Sequence, residues 1–288
     1  MSPEVSVVLV SYNCGRDLVV CLDDLAREAE RIPLEAIVID NCSADDSAQA
    51  CRLNHPWVEL IVNRANLGFA RAVNQGLKRA RGRFFMLLNP DTRLVPGALS
   101  EMAAFLGDHP RAGAVGPKIL DFDGSIQLSA RRTQTPLAFL FNRYSLLTQL
   151  WPSNPLSRRY LLSDWDHDSP REVDWLSAAA LMVRREAVER AGLMDEGFFL
   201  FHEDVDWCRR IGQAGFGIFF WPRAQVVHRI GISKERSSPR LIAIRHRSMI
   251  HYVHKHYAGL GPLLWLADLA IALRFGLLAG LGMMRRRN

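Results

Sequence analysis

Over the first 120 residues, short unbroken apolar runs alternate with stretches whose apolar positions recur at helical spacing. Each apolar run stops at turn-forming or acidic residues. VSVVLVSYN (5–13) has the composition of a strand buried on both faces of a parallel sheet. Leu18, Cys21, Leu22 and Leu25 mark one face of a helix over 16–31, and LEAIVIDN (34–41) is a second buried strand stopped by Asp40 and Asn41, completing a βαβ unit. SADDSAQACRL predicts a helix with Ser43 as N-cap, VELIVN (58–63) a third strand, GFARAVNQGLKRAR a helix opened by Gly68, and RFFMLLN (83–89) a fourth strand ending at NPDT. Such alternation with short joints predicts a doubly wound α/β sheet through about residue 120.

From 121 to 172 the periodicity weakens, and Pro136, Pro152, Pro155 and Pro170 interrupt aromatic and basic residues, as in a variable, substrate-facing segment. Order returns with VDWLSAAALMVRREAVERAG, a strand running into a helix. The acidic stretch FHEDVDWCRR (201–210) follows, and then two closing strands, GFGIFFWP (215–222) and AQVVH (224–228).

At 288 residues, with 49% hydrophobic and 23% charged positions, the chain can bury a full core and has a globular composition. A net charge of +6 points to an anionic partner without choosing among nucleic acid, a phosphorylated ligand and a membrane surface. No recognisable nucleic-acid motif accompanies the charge, so no nucleic-acid partner is expected. No G-x-G-x-x-G follows the first strand, where SYNCGRD stands, which argues against a dinucleotide dehydrogenase. The five cysteines are odd in number and lack a C-x-x-C pair, as expected of reduced thiols. MSPEVSVVLV has no basic n-region and its apolar run is too short for a signal peptide, so export by that route is not expected.

Three acidic positions follow apolar strands, and in an open α/β sheet such strand ends converge on one site. Asp40 is placed to accept hydrogen bonds from a ribose or base, although Asp also ends strands simply because it turns well. In Asn89-Pro90-Asp91 the proline fixes the local backbone, so an amide and a carboxylate are presented together. A divalent cation on phosphates takes such oxygen ligands, while in isolation the same residues read as an ordinary turn. His228 ends a strand, and as a lone histidine it reads as core or surface. Glu203, Asp204 and Asp206 read, taken alone, as the acidic first turn of a helix, with Asp206 and Arg210 spaced to pair.

Taken together, VSVVLVSYN, VIDNCSADDS, NRANLGFARAVNQGL, LLNPDT, VDWLSAAALMVRREA, FFLFHEDVDWCRR and VVHRIGIS resemble the family-2 inverting glycosyltransferases of the GT-A fold, in particular their bacterial rhamnosyltransferase-like branch. The resemblance runs in order from about residue 5 to 257. It implies a Rossmann-like doubly wound mixed sheet, a nucleotide-diphosphate-sugar donor, a divalent cation (Mg2+ or Mn2+), and transfer with inversion to a hydroxyl of a lipid-linked or polysaccharide acceptor in cell-envelope glycan synthesis. It suggests rhamnose from dTDP-rhamnose as the sugar. Asp40 matches the residue that binds the donor's base or ribose, and Asn66, Gly68 and Asn74 fall along the nucleotide. Asp91 matches the last acid of the D-x-D motif, with Asn89 in its first place. Glu203 and Asp204 match the acidic pair that holds the catalytic base, and His228 matches a histidine near the cation and pyrophosphate. Ala178 stands where this branch usually has Gly, which narrows donor or acceptor space. A base on the acceptor hydroxyl needs a positioned, partly desolvated carboxylate, and GFFLF with Trp207 supplies an apolar wall for one. Asp204 is expected to be that base, with Glu203 as the alternate. A catalytically inactive sugar-nucleotide-binding or membrane scaffold protein is the rival reading.

These motifs divide the chain into a GT-A domain over 1–257, with a donor half to about 120 and an acceptor half over 121–257, and a tail over 258–288. LGPLLWLADLAIALRFGLLAGLGMMRRRN is long enough to span a bilayer, but Asp268 and Arg274 interrupt it, each costing roughly 2.5–3.5 kcal/mol at mid-bilayer. They stand about 240° apart around a helix and so share no narrow polar face. The closing arginines favour a cytoplasmic C-terminus, and a single span would put the preceding domain on the wrong side. Peripheral or monotopic attachment to the cytoplasmic face of the plasma membrane is therefore expected.

Overall fold

The computed structural model describes residues 2–133, 135, 151, 154–228 and 239–287, of which 277–287 are described as helical backbone only. Pro136, Pro152, the RIGIS stretch after His228 and the side chains of the terminal arginines lie outside the described residues.

Strands β1 (Val5–Ser11), β2 (Leu34–Asp40), β3 (Glu59–Val62) and β4 (Phe84–Leu88) are parallel, in the order β3-β2-β1-β4. Helices α1 (Gly15–Glu28), α2 (Ser47–Asn54) and α3 (Phe69–Arg79) join them. After the short β5 (Thr92–Leu94) and helix α4 (Ala98–Asp108), β6 (Ala112–Leu120) leads into the small strands β7 (Ile126–Gln127) and β8 (Ala130–Arg131). Helix α5 (Pro155–Leu161) and strands β9 (Arg171–Val173), β10 (Trp175–Leu176) and β11 (Ala180–Arg184) precede helices α6 (Arg185–Ala191) and α7 (Glu203–Gln213). β11 enters the sheet antiparallel to both β4 and β6, so the sheet is mixed, as expected.

Helix α2 starts at Ser47 with Asp46 at the N-cap, not at Ser43. Ser43 Oγ instead accepts the Asn13 N–H at 3.0 Å, which spends it on the β1–α1 joint. The two closing strands predicted for 215–228 are one, β12 (Gly217–His228), with a register shift between Trp221 and Gln225. Pro222 has no N–H for the ladder, so the irregularity falls where the sequence suggested a break.

Alternate residues feed two cores, one on each face of the sheet. Val7, Leu9 and Met86 pack with Leu18, Leu22 and Leu99 of α1 and α4. Val8, Ile37 and Leu87 pack with Val73, Trp207 and Tyr252. Each such side chain contributes about 1.5–3 kcal/mol relative to exposure. All five cysteines are free thiols.

The last helices complete the second core. α8 (Pro239–Tyr257) is tied to α7 through side chains, Arg209 to Tyr252 and His256 to Asp206, and after a 3-10 turn (Ala258–Leu263) α9 (Leu264–Arg287) packs back on α8. Asp206, fully buried on α7, joins them to the body: Arg210 Nε lies at 2.8 Å, Lys255 Nζ at 2.8 Å and His256 Nε2 at 2.7 Å. Asp206 is thus the structural member of the acidic stretch. Asp195 binds Lys255 at 2.6 Å and His251 at 3.1 Å, and Ser248 donates to the Leu200 carbonyl at 2.9 Å. Burial alone would raise the pKa of Asp206, but hydrogen bonds from His256 and Lys255 hold it below the usual carboxylate range.

Replacing Asp206 with Ala leaves Lys255 and Arg210 without their shared anion and the buried His256 without its partner, and about 3–5 kcal/mol of stability should be lost at neutral pH, read from urea unfolding. Because the folded pKa lies below the unfolded value, this contribution is present above the unfolded carboxylate range and is lost as pH falls through the folded one. Wild type and variant should therefore converge in acid. A constant gap down to the lowest pH would show that packing, not charge, is what the variant removes.

Candidate active site

A cavity of about 410 Å³ opens beyond the strand ends and is lined by Asn89, Ala178, Glu203, Asp204 and His228. Asn89 follows β4, Ala178 joins β10 to β11, the acids begin α7, and His228 ends β12. The chain-reversal at NPDT is tight: Thr92 returns both its N–H and its hydroxyl to the Asn89 carbonyl, and Asn89 N–H donates to Ala179. β5 then pairs with β12 so that Thr92 stands opposite His228. That register sets Asp91 beside the imidazole, with Oδ1 3.2 Å from Nε2.

Gln127, which the sequence did not single out, fixes the imidazole. Its amide nitrogen donates to the Asp121 carboxylate at 2.9 Å and the His228 carbonyl at 2.6 Å, two groups that can only accept. Its Oε1 must then face His228 Nδ1, 3.0 Å away, which places a proton on Nδ1 and leaves Nε2 facing Asp91 and the Asn89 amide. An imidazole and a carboxylate 3.2 Å apart are a donor set that Mg2+ or Mn2+ accepts. Among the described residues no cluster of three or more His, Cys, Asp or Glu could hold a metal, so a cation here would draw its remaining ligands from phosphate and water.

Asp40 ends β2 with Oδ2 on the Ser43 N–H at 3.1 Å, while Oδ1 is buried with no protein partner, an acceptor suited to an N–H or O–H of a nucleoside. Next to it, Asn41 donates to Asn66 Oδ1 and the Gly68 carbonyl and accepts from Leu67 and Asn63, so the NRANLG loop is tied to the end of β2. Gly68 has φ of +86°, and a Cβ there would stand 2.6 Å from the Phe199 carbonyl, which accepts the Phe69 N–H at 2.7 Å. Only glycine lets these two loops meet. Asn74 is placed away from the cavity: its amide is occupied by Met194 and Glu196, so it braces the loop ahead of α7.

The acids open α7 after two non-glycine residues in the left-handed region, Phe201 (φ +71°) and His202 (φ +70°). Asp204 accepts the Ala178 N–H at 3.3 Å and the Val205 N–H at 2.8 Å. Glu203 is buried and its Oε2 has no protein partner. Burial, and then the Asp204 charge, push the Glu203 carboxyl well above the ordinary range, and burial also raises Asp204. A raised pKa suits a carboxylate that must take a proton near neutral pH. Ala178 has no positive φ, and its methyl narrows the cavity beside Asp204 without strain. Arg131, Arg245 and Arg274 also line the cavity. From sequence, Arg131 has two readings, a cation for donor or lipid phosphates and a solvated surface residue, with the second preferred, and Arg274 reads as an obstacle to membrane insertion.

Solved structures share the fold of this mixed sheet. A mannosyltransferase from Pyrobaculum calidifontis in complex with GDP-Man and Mn2+ superposes with a TM-score of 0.59 at 19% identity, over 99% of this chain and 74% of that one. GalNAc-T7 with UDP, GalNAc and Mn2+ gives 0.63 at 18%, over 88% and 48%. These likenesses establish the GT-A fold. In sequence, the N-acetylglucosaminyl-diphospho-decaprenol L-rhamnosyltransferase of Mycobacterium tuberculosis is 33% identical over 301 residues, covering 100% of this chain and 97% of that protein. The O-antigen biosynthesis protein RfbC of Myxococcus xanthus is 26% identical over 241 residues, 81% of this chain and 18% of that protein. The family model for glycosyl transferase family 2 matches residues 6–163, and with a relative alike from end to end, the chain belongs to glycosyl transferase family 2.

Proposed function

We propose that this glycosyltransferase moves rhamnose from dTDP-rhamnose, with inversion, to a hydroxyl of an amino sugar carried on a polyprenyl diphosphate, at the cytoplasmic membrane face. The observation that carries the reading is one cavity that joins the buried Glu203 and the half-buried Asp204 to His228 and Asn89. The end-to-end likeness to the mycobacterial rhamnosyltransferase supports the sugar and the acceptor class.

In this reading Asp204 takes the proton of the acceptor hydroxyl as its oxygen bonds to the anomeric carbon from the side opposite the leaving group. The bond from that carbon to the β-phosphate oxygen breaks, and its electron pair leaves with the nucleoside diphosphate. Ala178 N–H and the helix N-terminus hold the Asp204 carboxylate in aim, and burial keeps its proton affinity high. Asp91 and His228 would hold a divalent cation, which when bound would supply positive charge to the diphosphate. Asp40 accepts a hydrogen bond from the nucleoside, and the Asn66–Gly68 loop lies along it. Residues to about 120 form the donor half, 121–257 the acceptor half and 258–288 the membrane-associating tail.

Helix α9 supports the membrane placement. Trp265, Leu266, Leu269 and Leu273 lie within an arc of about 100° and are 46% to 67% exposed. Asp268 and Arg274 lie on the broad opposite arc. Asp268 takes His254 Nε2 at 2.9 Å, and Arg274 donates to Met249 at 3.4 Å. The charges that obstruct a transmembrane span thus face the protein, and the exposed face is apolar, the pattern of a helix lying in a lipid interface. A helix within Pro239–Gly276 is also long and apolar enough to cross a membrane by length and composition.

Asp204→Asn should lower transfer by about 10³-fold or more while dTDP-rhamnose binding stays within a factor of two. Normal turnover in this variant together with loss in Glu203→Gln would move the base to Glu203. In wild type the rate should fall as pH drops through a value above the ordinary carboxylate range. Since a raised folded pKa makes the ionised pair destabilising at neutral pH, Glu203→Gln should unfold at a higher temperature than wild type there, and the difference should vanish in acid.

Gln127→Leu should weaken Mn2+ binding in the presence of dTDP about 10- to 100-fold, read by calorimetry. Asp91→Ala should weaken dTDP binding with Mn2+ present but not in chelator. Equal weakening in both would place Asp91 outside cation binding.

Leu266→Glu combined with Leu269→Glu should move the protein from vesicles of anionic phospholipid to the supernatant in sedimentation while dTDP-rhamnose hydrolysis persists. Retention on vesicles would rule out α9 as the attached surface.

A further inference from the structure

Asn74 is buried on α3 with its amide turned onto the loop that precedes the acid pair. Its Oδ1 accepts the Met194 N–H at 3.0 Å, while its Nδ2 donates to the Met194 carbonyl at 2.9 Å and to Glu196 at 3.1 Å. Directional bonds to both the N–H and the C=O of one residue fix sliding as well as separation, which an apolar side chain of the same size would not do. Arg71 also reaches Glu196, at 2.9 Å, but both partners are more than a third exposed, and such a pair holds little in water. The hydrogen bond from Asn74, ahead of those from Arg71, keeps the Glu196 carboxyl below its ordinary range.

Asn74 stands about 7.5 Å along the axis of α3 from Phe69, the first residue of that helix. There the Phe69 N–H donates to the Phe199 carbonyl at 2.7 Å, and Gly68 lies too close to Phe199 to carry a Cβ. α3 therefore grips the stretch from 194 to 199 at two points. The loop that opens α3 is held in turn by Asn41, which donates to Asn66 Oδ1 at 3.0 Å and to the Gly68 carbonyl at 3.2 Å, directly after Asp40. On the far side of Phe199, Leu200 and the left-handed Phe201 and His202 are all that separate the grip from Glu203. A left-handed backbone at bulky residues persists where its surroundings over-determine it. α8 holds the same stretch from its other side, through Ser248 to Leu200 and through His251 and Lys255 to Asp195. Of the two grips, the one from α3 continues to the strand end that carries Asp40.

We infer that Asn74 is a positioning residue for the base: through Met194 it makes the loop at 66–69 and the turn that aims Glu203 and Asp204 one rigid unit, so that a nucleotide on that loop also fixes the acid pair. This rests on the donor reading proposed above. Asn74 touches neither substrate in this role. Its work is to keep the two ends of the reaction at a constant separation.

The test compares wild type, Asn74→Leu, Asn74→Asp, and Asn74→Asp combined with Glu196→Gln. Asn74→Asp keeps the shape but sets a carboxylate against Glu196, and adding Glu196→Gln returns a donor to that contact while leaving an acceptor for Arg71. Calorimetry of dTDP with wild type tests the donor reading by itself. For the inference, both single variants should lower kcat about 10- to 100-fold while the Kd for dTDP and the KM for dTDP-rhamnose stay within about threefold, and the combined variant should recover part of the rate. Amide hydrogen exchange over 194–204 should slow about 10-fold when dTDP saturates wild type and less than about twofold in Asn74→Leu, with the slowing over 63–69 kept in both. The coupling is also read without nucleotide: Asn66→Ala should speed exchange over 194–204 in wild type and add nothing in the Asn74→Leu background. That outcome supports the joint even where dTDP does not bind. A loss of dTDP affinity equal to the loss of kcat would return Asn74 to nucleotide binding and overturn the inference. So would equal slowing over 194–204 in wild type and Asn74→Leu, a combined variant no faster than Asn74→Asp, or no change over 194–204 on Asn66→Ala.

Discussion

Glu203 and Asp204 are neighbours at the first turn of α7, shut away from bulk water, where two ionised carboxylates repel and neither is well solvated. Most of the C-terminal half is arranged to hold them there. The N-terminus of α7 and the Ala178 N–H offset part of the charge, and the turn that aims the helix costs on the order of 1 kcal/mol at each of Phe201 and His202 for its left-handed backbone. Two turns' worth of α7 is then anchored by the third acid of the stretch, because Asp206 is buried among Arg210, Lys255 and His256. One short acidic sequence thus contains both the unstable site and the fixed point that sustains it.

The opposite wall of the cavity is built on a different economy. Instead of clustered carboxylates it has one, Asp91, with an amide at Asn89 and an imidazole held in a single orientation by Gln127. A divalent ion there keeps more of its positive charge than it would between two aspartates, and that charge is available to a diphosphate. The acid pair is remote in sequence from this wall, and the sheet brings the two together through β12, which pairs with β6 and β5 and ends at His228.

The sheet was legible because β1, β2 and β4 are largely buried and read as unbroken apolar runs, whereas the apolar run expected as a strand before the acid pair is a turn over 197–202 that ends in the left-handed Phe201 and His202. The two predicted closing strands merged into β12 because a proline in an edge-side bulge reads in one dimension as an end. Asn74 shows the opposite limit: its motif position points to the nucleotide, but its amide is spent on Met194 and Glu196, partners 120 and 122 residues away that spacing cannot reveal. Gln127 went unnoticed because its value comes wholly from three long-range hydrogen bonds in the least periodic part of the chain. Arg274 was visible only as a charge in an apolar tail, since the direction a helical residue faces depends on the neighbour it packs against.

That direction joins the tail to the chemistry. α8 receives α9 on one side, through His254 with Asp268 and Met249 with Arg274, and on the other holds the loop before α7 through Ser248, His251 and Lys255. In the proposed placement, a helix seated on lipid and a pair of acids in a cavity are therefore two attachments of one nineteen-residue rod. If α9 were only a tether, a flexible linker would serve, and an acceptor held in the bilayer would have to find the cavity at variable height. A rigid mount fixes that height, which removes orientational freedom before the acceptor hydroxyl approaches Asp204, and for a substrate that cannot leave the membrane this is the freedom that matters most.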